Sequence, residues 1–239
     1  MKNYVFGDEN MALSEEIVLH INNYCNNHLP DSEWYNSELD FIEDEDLRNR
    51  IIREFKSIRF AYKLYEGIAA KDENLIFEVR HQILSYASLY EAILDYVLIK
   101  YYKDTEAYND FINFKILKQY SIPTDKLNKL KSILEHDGKD IVPCYYAKSK
   151  REYSKIKFKE KCNLANKLGI IYDFYNQSGE KVNFVEELKE IYSYRNAIHI
   201  IAEKKKNVDY DLELSKKAYR RIQPFLMQIR EKLRQDRFL

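Results

Sequence analysis

Five consecutive residues, Arg195-Asn196-Ala197-Ile198-His199, bring a guanidinium, a carboxamide and an imidazole within about one helical turn. The guanidinium fork matches phosphate oxygens. The imidazole titrates near neutrality and can move protons. Together they form a minimal kit for cleaving RNA without a metal. One group stabilises the pentacoordinate phosphorane, and the other handles the proton of the 2′-hydroxyl or of the leaving group.

Those residues need an element to aim them. The pattern predicts a helix from Phe184 to about Glu203. At about 100° per residue, Phe184, Leu188, Ile191, Tyr192, Ile198, His199 and Ala202 all lie within roughly 60° of Arg195. Arg195 and His199 thus occupy positions on the apolar stripe and, four apart, are neighbours on one face. Asn196 sits on the flank. A buried Arg without a partner is costly. It needs an internal acid such as Glu91 or Asp95, a partner subunit or an anionic ligand. The competing reading is a structural salt-bridge and hydrogen-bond cluster.

The candidate acids fall on a helix predicted over about Glu73 to Tyr102. Ile76, Val79, Ile83, Ala87, Tyr90, Leu94, Val97 and Tyr101 step by three and four along it. A more polar line holds His81, Ser85, Ser88, Glu91 and Asp95. Of these, His81, Glu91 and Asp95 are candidates to line a cleft with Arg195. Other expected helices run from Ser14 to about Asn27, from an Asp46 cap to about Ala70, and from Lys159 to Leu168 with Gly169 closing it. A last helix is expected over about Leu212 to Arg234, kinked by Pro224. Between them, Phe111 to Gln119 reads as a short helix. A further helix is expected from Pro123-Thr124-Asp125 to near Gly138. The stretch Ile141 to Phe158 reads as a loop or small hairpin.

Composition sets the outer bounds. The chain has 239 residues, 5 glycines and 4 prolines, a scarcity of breakers that favours long helices over a turn-rich β fold. Cys25, Cys144 and Cys162 are odd in number and widely spaced, which argues against a disulfide framework. With Met1-Lys2-Asn3-Tyr4 showing no signal pattern and no apolar run long enough to span a bilayer, the expectation is a cytoplasmic protein with no membrane partner. Cys25 and His28, with His20 nearby, lack the second pair a zinc site needs, so no metal and no cofactor is expected.

Acids and bases balance at 39 each, but they are not evenly spread. Residues 31–46 carry eight acids and no base, and residues 148–167 carry eight bases against Glu152 and Glu160. Such asymmetry suits a nucleic-acid face, or acid-to-base contacts within the protein or across a dimer. Lys148, Lys150, Arg151, Lys155 and Lys157 interleave with Tyr145, Tyr146, Tyr153 and Phe158. Bases with aromatics suit single-stranded RNA, through phosphate contacts and stacking. The alternative is a solvated charged loop.

The segment Tyr194-Arg195-Asn196-Ala197-Ile198-His199-Ile200 resembles the motif of the HEPN superfamily, small helical proteins of prokaryotic toxin, phage-defence and RNA-processing systems. Three further stretches carry the likeness: Ser88 to Leu94 with Glu91 at its centre, Cys162 to Ile171, and the closing helix from Asp211 through Leu226. The likeness covers roughly residues 74–102 and 159–235. It implies an all-α, up-and-down helical bundle; the expected organisation is a single helical domain over 1–239, in which the likeness does not explain an N-terminal helical extension over 1–70 or an insertion over about 103–158. It implies a homodimer with Arg and His facing a shared cleft, and metal-independent endoribonuclease activity on RNA, tRNA included, with an antitoxin or defence-system partner. Carried over, Arg195 contacts phosphate, His199 transfers protons and Asn196 orients them. The usual motif spaces Arg and His by four to six residues; here three intervene, which alters their relative reach. Ile201 stands where an adenylylated subgroup carries Tyr, so neutralisation of that type is not expected. The alternative function is a non-catalytic interaction module in which Arg195 and His199 are structural.

Overall fold

A computed structural model describes residues 13–133, 138–139, 142–197 and 210–239. The protein is mainly helical, 66% helix against 9% strand. It divides into two compact units, one built from residues 1–101 and 158–239 and the other from residues 102–157.

In the first unit, α1 (Glu15–Asn26) starts under a Ser14 side chain that accepts the Ile17 N–H. Next come α2 (Ser32–Glu38), capped by Asp31, and α3 (Glu45–Gly67), capped by Asp44 rather than by the expected Asp46. Asp44 wins because its Oδ1 reaches the Leu47 N–H at 3.0 Å, satisfying one of the donors a helix start leaves open. The 30-residue α4 (Asp72–Tyr101) is the centre of the unit. Val79, Ile83, Ala87, Tyr90, Leu94 and Val97 are buried as the spacing predicts, but so are Tyr86, Leu89, Ile93 and Leu98. A helix apolar nearly all round is one enclosed by others. The helices α3, α7 (Phe158–Lys167), α8 (Phe184–Arg195) and α9 (Leu212–Arg220) all pack on α4.

Gly169, at φ +72°, closes α7 in the left-handed conformation that glycine adopts without steric cost. A hairpin of β3 (Phe174–Tyr175) and β4 (Lys181–Val182) leads into α8. The expected closing helix is two helices, α9 and α10 (Ile222–Gln235). The break follows from Pro224. Its missing N–H cannot bond the Arg220 carbonyl, so α9 stops there and Pro224 lies in the first turn of α10, where proline is tolerated.

In the second unit, α5 (Glu106–Ile112) is followed directly by β1 (Asn113–Gln119). The short helix expected over Phe111 to Gln119 is therefore corrected: only its first two residues are helical. Asn113-Phe114-Lys115-Ile116-Leu117 alternates between half-buried and exposed, the two-residue period of a strand. The helix α6 (Thr124–Ile133) intervenes before β2 (Cys144–Lys150) pairs antiparallel with β1, in a register that sets Lys115 opposite Lys148 and Leu117 opposite Tyr146.

Candidate functional site

Arg195 is the last residue of α8, where its charge complements the helix dipole. Its Nη1 donates to Glu91 Oε2 at 3.1 Å and to the Tyr192 hydroxyl at 2.5 Å. Tyr192 donates in turn to Glu91 Oε1 at 2.9 Å. Glu91 lies on α4 and Tyr192 one turn before Arg195 on α8, so the three groups tie the two helices together. One turn further along α4, Asp95 takes a 2.8 Å bond from Lys161 of α7, and the same ammonium is 3.8 Å from Glu91. Phe158, one turn before Lys161, stacks on the Tyr192 ring at 4.4 Å.

The cluster is layered by burial. The Lys161 side chain is 3% exposed, whereas Glu91, Asp95 and Arg195 are exposed by 25%, 28% and 32%. Lys161 is the internal counter-charge, and Arg195 stands at the edge. Burial, then the bond to Glu91 and its negative charge, push the Tyr192 phenol up to about 12 against the pull of Arg195. Tyr192 is therefore protonated at neutral pH, a donor to Glu91 and not a general base. The two acids and two bases cancel. Beyond Nη1, the guanidinium has no hydrogen-bond partner among the described residues.

The other predicted site residues distribute as follows. Glu91 and Asp95 join Arg195, as geometry on one helix face requires. His81 does not: it is exposed, and ten residues place it about 15 Å along α4 from Glu91. Asn196 is the exposed C-terminal cap of α8, and its backbone N–H bonds the Tyr194 carbonyl. His199 lies outside the described residues, as does the expected continuation of the helix to Glu203. Lys161 and Tyr192 are the functional-cluster members that sequence reasoning missed. A signal existed for Lys161: with Phe158, Cys162 and Ala165 it falls on the buried stripe of α7, an apolar-face position held by a cation.

Of the basic residues, Lys148 and Lys150 are exposed on β2. Arg151 follows the strand, its guanidinium 5.0 Å above the Phe114 ring and its N–H on the Ile112 carbonyl. Lys155 pairs with Glu152 at 2.6 Å, and Lys157 is exposed. The basic C-terminal stretch is largely neutralised within the first unit, by Lys217 with Glu190, Arg221 with Glu187, and Arg230 with Glu38 and Asp40 of the acidic run. Among the described residues no group of His, Cys, Asp and Glu could hold a metal ion, and no helix is long and apolar enough to cross a membrane.

No family model, curated protein or solved structure matches this chain.

Proposed function

We propose that this protein is a HEPN-like RNA-binding protein in which Arg195 takes a phosphate of the substrate and His199 manages the proton of metal-independent cleavage. One observation carries the reading. Arg195 is fixed through a single nitrogen by Glu91 and Tyr192, while among the described residues the rest of its fork, at a part-exposed helix end, meets no acceptor and suits a phosphate. A guanidinium so held needs no reorganisation when charge develops on a phosphorane. The packing of α8 on the Glu91-bearing α4 accords with the bundle that the resemblance implies. In that reading the protein acts as a dimer in a toxin or phage-defence setting.

A second reading has its own observation. Glu91, Asp95, Lys161 and Arg195 balance in charge, which is how a structural cluster is satisfied. It makes the protein a non-catalytic helical interaction module.

Purified protein incubated with total RNA and tRNA in EDTA separates the two. Under the proposed function, wild type yields cyclic-phosphate ends, and Arg195→Ala and His199→Ala both abolish them while circular dichroism is unchanged. Absence of cleavage by folded wild type, with Arg195→Ala acting chiefly on the melting temperature, would leave the structural reading standing.

A further inference from the structure

The two-stranded ribbon of the second unit sets like charges against each other. Directly opposed residues of an antiparallel pair share a face. Asn113, Lys115, Leu117 and Gln119 therefore share one with Lys150, Lys148, Tyr146 and Cys144, and all eight are exposed. Lys115 sits directly across from Lys148, a like-charge pairing that destabilises a ribbon. Among the described residues neither these two nor Lys150 has a carboxylate partner. In the first unit Lys217, Arg221 and Arg230 each meet a carboxylate.

Apolar surface accompanies the charge. Tyr146 is 73% exposed and its cross-strand neighbour Leu117 61%, on the face that holds the three lysines. Residues two apart on a strand are spaced by about 6.8 Å, so Lys150, Lys148 and Tyr146 form a line of two cations and a ring. At the Lys150 end the line meets a pocket of about 490 Å³, lined by Lys150, Arg151, Tyr108 and Tyr153 among others.

We propose that this face of the β1–β2 ribbon is a docking surface for single-stranded RNA, with Lys115, Lys148 and Lys150 on the phosphates and Tyr146 stacking on a base. The charge complementarity argues for a polyanion, and the exposed ring beside the lysines for unpaired bases that can stack. The choice of RNA over DNA rests on the proposed function; the surface itself includes no residue of the Arg195 cluster. The lysine pair accounts for its own strain: a phosphate between Lys115 and Lys148 turns a repulsion into two attractions.

The test uses the full chain and the fluorescence anisotropy of a labelled oligouridine of roughly 20 nucleotides. The triple substitution Lys115→Gln, Lys148→Gln and Lys150→Gln should weaken binding about tenfold or more at low salt. It should also lower the slope of log affinity against log salt by about 2, at roughly 0.7 per phosphate neutralised. Tyr146→Ala should cost about fivefold or more with the slope unchanged. Cys144, the exposed thiol on the same face, provides a footprint, since bound RNA should slow its alkylation. Lys115→Gln alone, a single surface change, should give part of both effects and guards against a folding artefact. Triple-variant binding equal to wild type would overturn the assignment, as would unchanged Cys144 reactivity. Equal affinity for duplex RNA or for oligothymidine would reduce the surface to a charge patch with no preference for single-stranded RNA. Arg195→Ala keeps the outcomes distinct: oligouridine bound as in wild type without cleavage by either protein ends the ribonuclease reading and leaves the ribbon surface in place.

Discussion

Glu91→Gln probes the centre of the candidate site. The carboxylate serves three partners: Tyr192 at 2.9 Å and Lys161 at 3.8 Å on Oε1, and Arg195 at 3.1 Å on Oε2. Glutamine keeps the shape and one acceptor oxygen, so it can serve the Tyr192 side or the Arg195 side, and its amide nitrogen turns a donor toward the other. A hydrogen bond to a charged group contributes about 1.5–3 kcal/mol. Glu91 and Arg195 are 25% and 32% exposed, so water recovers part of that loss. The expected cost is about 2 kcal/mol, or about 4–8 °C in melting temperature for a chain of this size. A double-mutant cycle with Arg195→Gln, followed by calorimetry, should give a coupling of about 1–2 kcal/mol. The same substitution reads the functional question with the opposite sign. Arg195 without its counter-charge is a stronger phosphate ligand, so Glu91→Gln should tighten RNA binding, and adding Arg195→Gln should remove the gain. A melting temperature within about 1 °C of wild type, or a coupling near zero, would refute the account of Glu91 as the hub.

Two further predictions follow from the same packing. Lys161→Met removes an ammonium that is 3% exposed from between Asp95 and Glu91; breaking a buried pair costs about 3–5 kcal/mol, reduced here to about 2–3 because Asp95 is part-exposed, and a loss of about 5–10 °C should be seen by thermal circular dichroism. A change under about 2 °C would mean that Lys161 holds no structural charge. Alkaline pH should unfold the protein through its tyrosines: burial pushes Tyr35 up to about 12 and raises Tyr86 and Tyr90 as well. These groups are neutral in the folded state, so their stabilisation is complete below about pH 10 and disappears as pH rises toward their folded values. Phenolate absorbance should rise in two phases, the second coinciding with loss of helix; a single phase near pH 10 with helix intact would contradict it.

Much of the helical frame was legible from local signals. Ser14 before α1 and Gly169 after α7 are decided by backbone donors and acceptors within a few residues, whereas α2, capped by Asp31, lay inside an acidic stretch for which no helix was expected. The strand β1 was not. Phe114, Ile116 and Leu117 fit either period over so short a run, and the choice is made by a partner that arrives only at Cys144–Lys150. Arg195 on an apolar stripe pointed to a need for an internal acid, a partner subunit or an anion, and Glu91 is the acid it meets. Which acid serves which cation was set by α7, because Lys161 takes Asp95 and leaves Glu91 to Arg195.

Charge runs show the same division at larger scale. In sequence, the bases of 148–167 form one block and those from Lys216 to Arg237 another, and either block suits a nucleic acid or the protein's own acids. Folding separates them by what they meet. Lys161 goes inside, Lys155 finds Glu152, and Arg230 meets Glu38 and Asp40 from the acidic run 190 residues earlier. A paired cation already has its counter-charge and offers less to a phosphate. A cation left opposite another, as Lys148 is to Lys115, gains most from a polyanion. The density of bases along the chain therefore says where binding could arise, and the ribbon register says where it is unopposed.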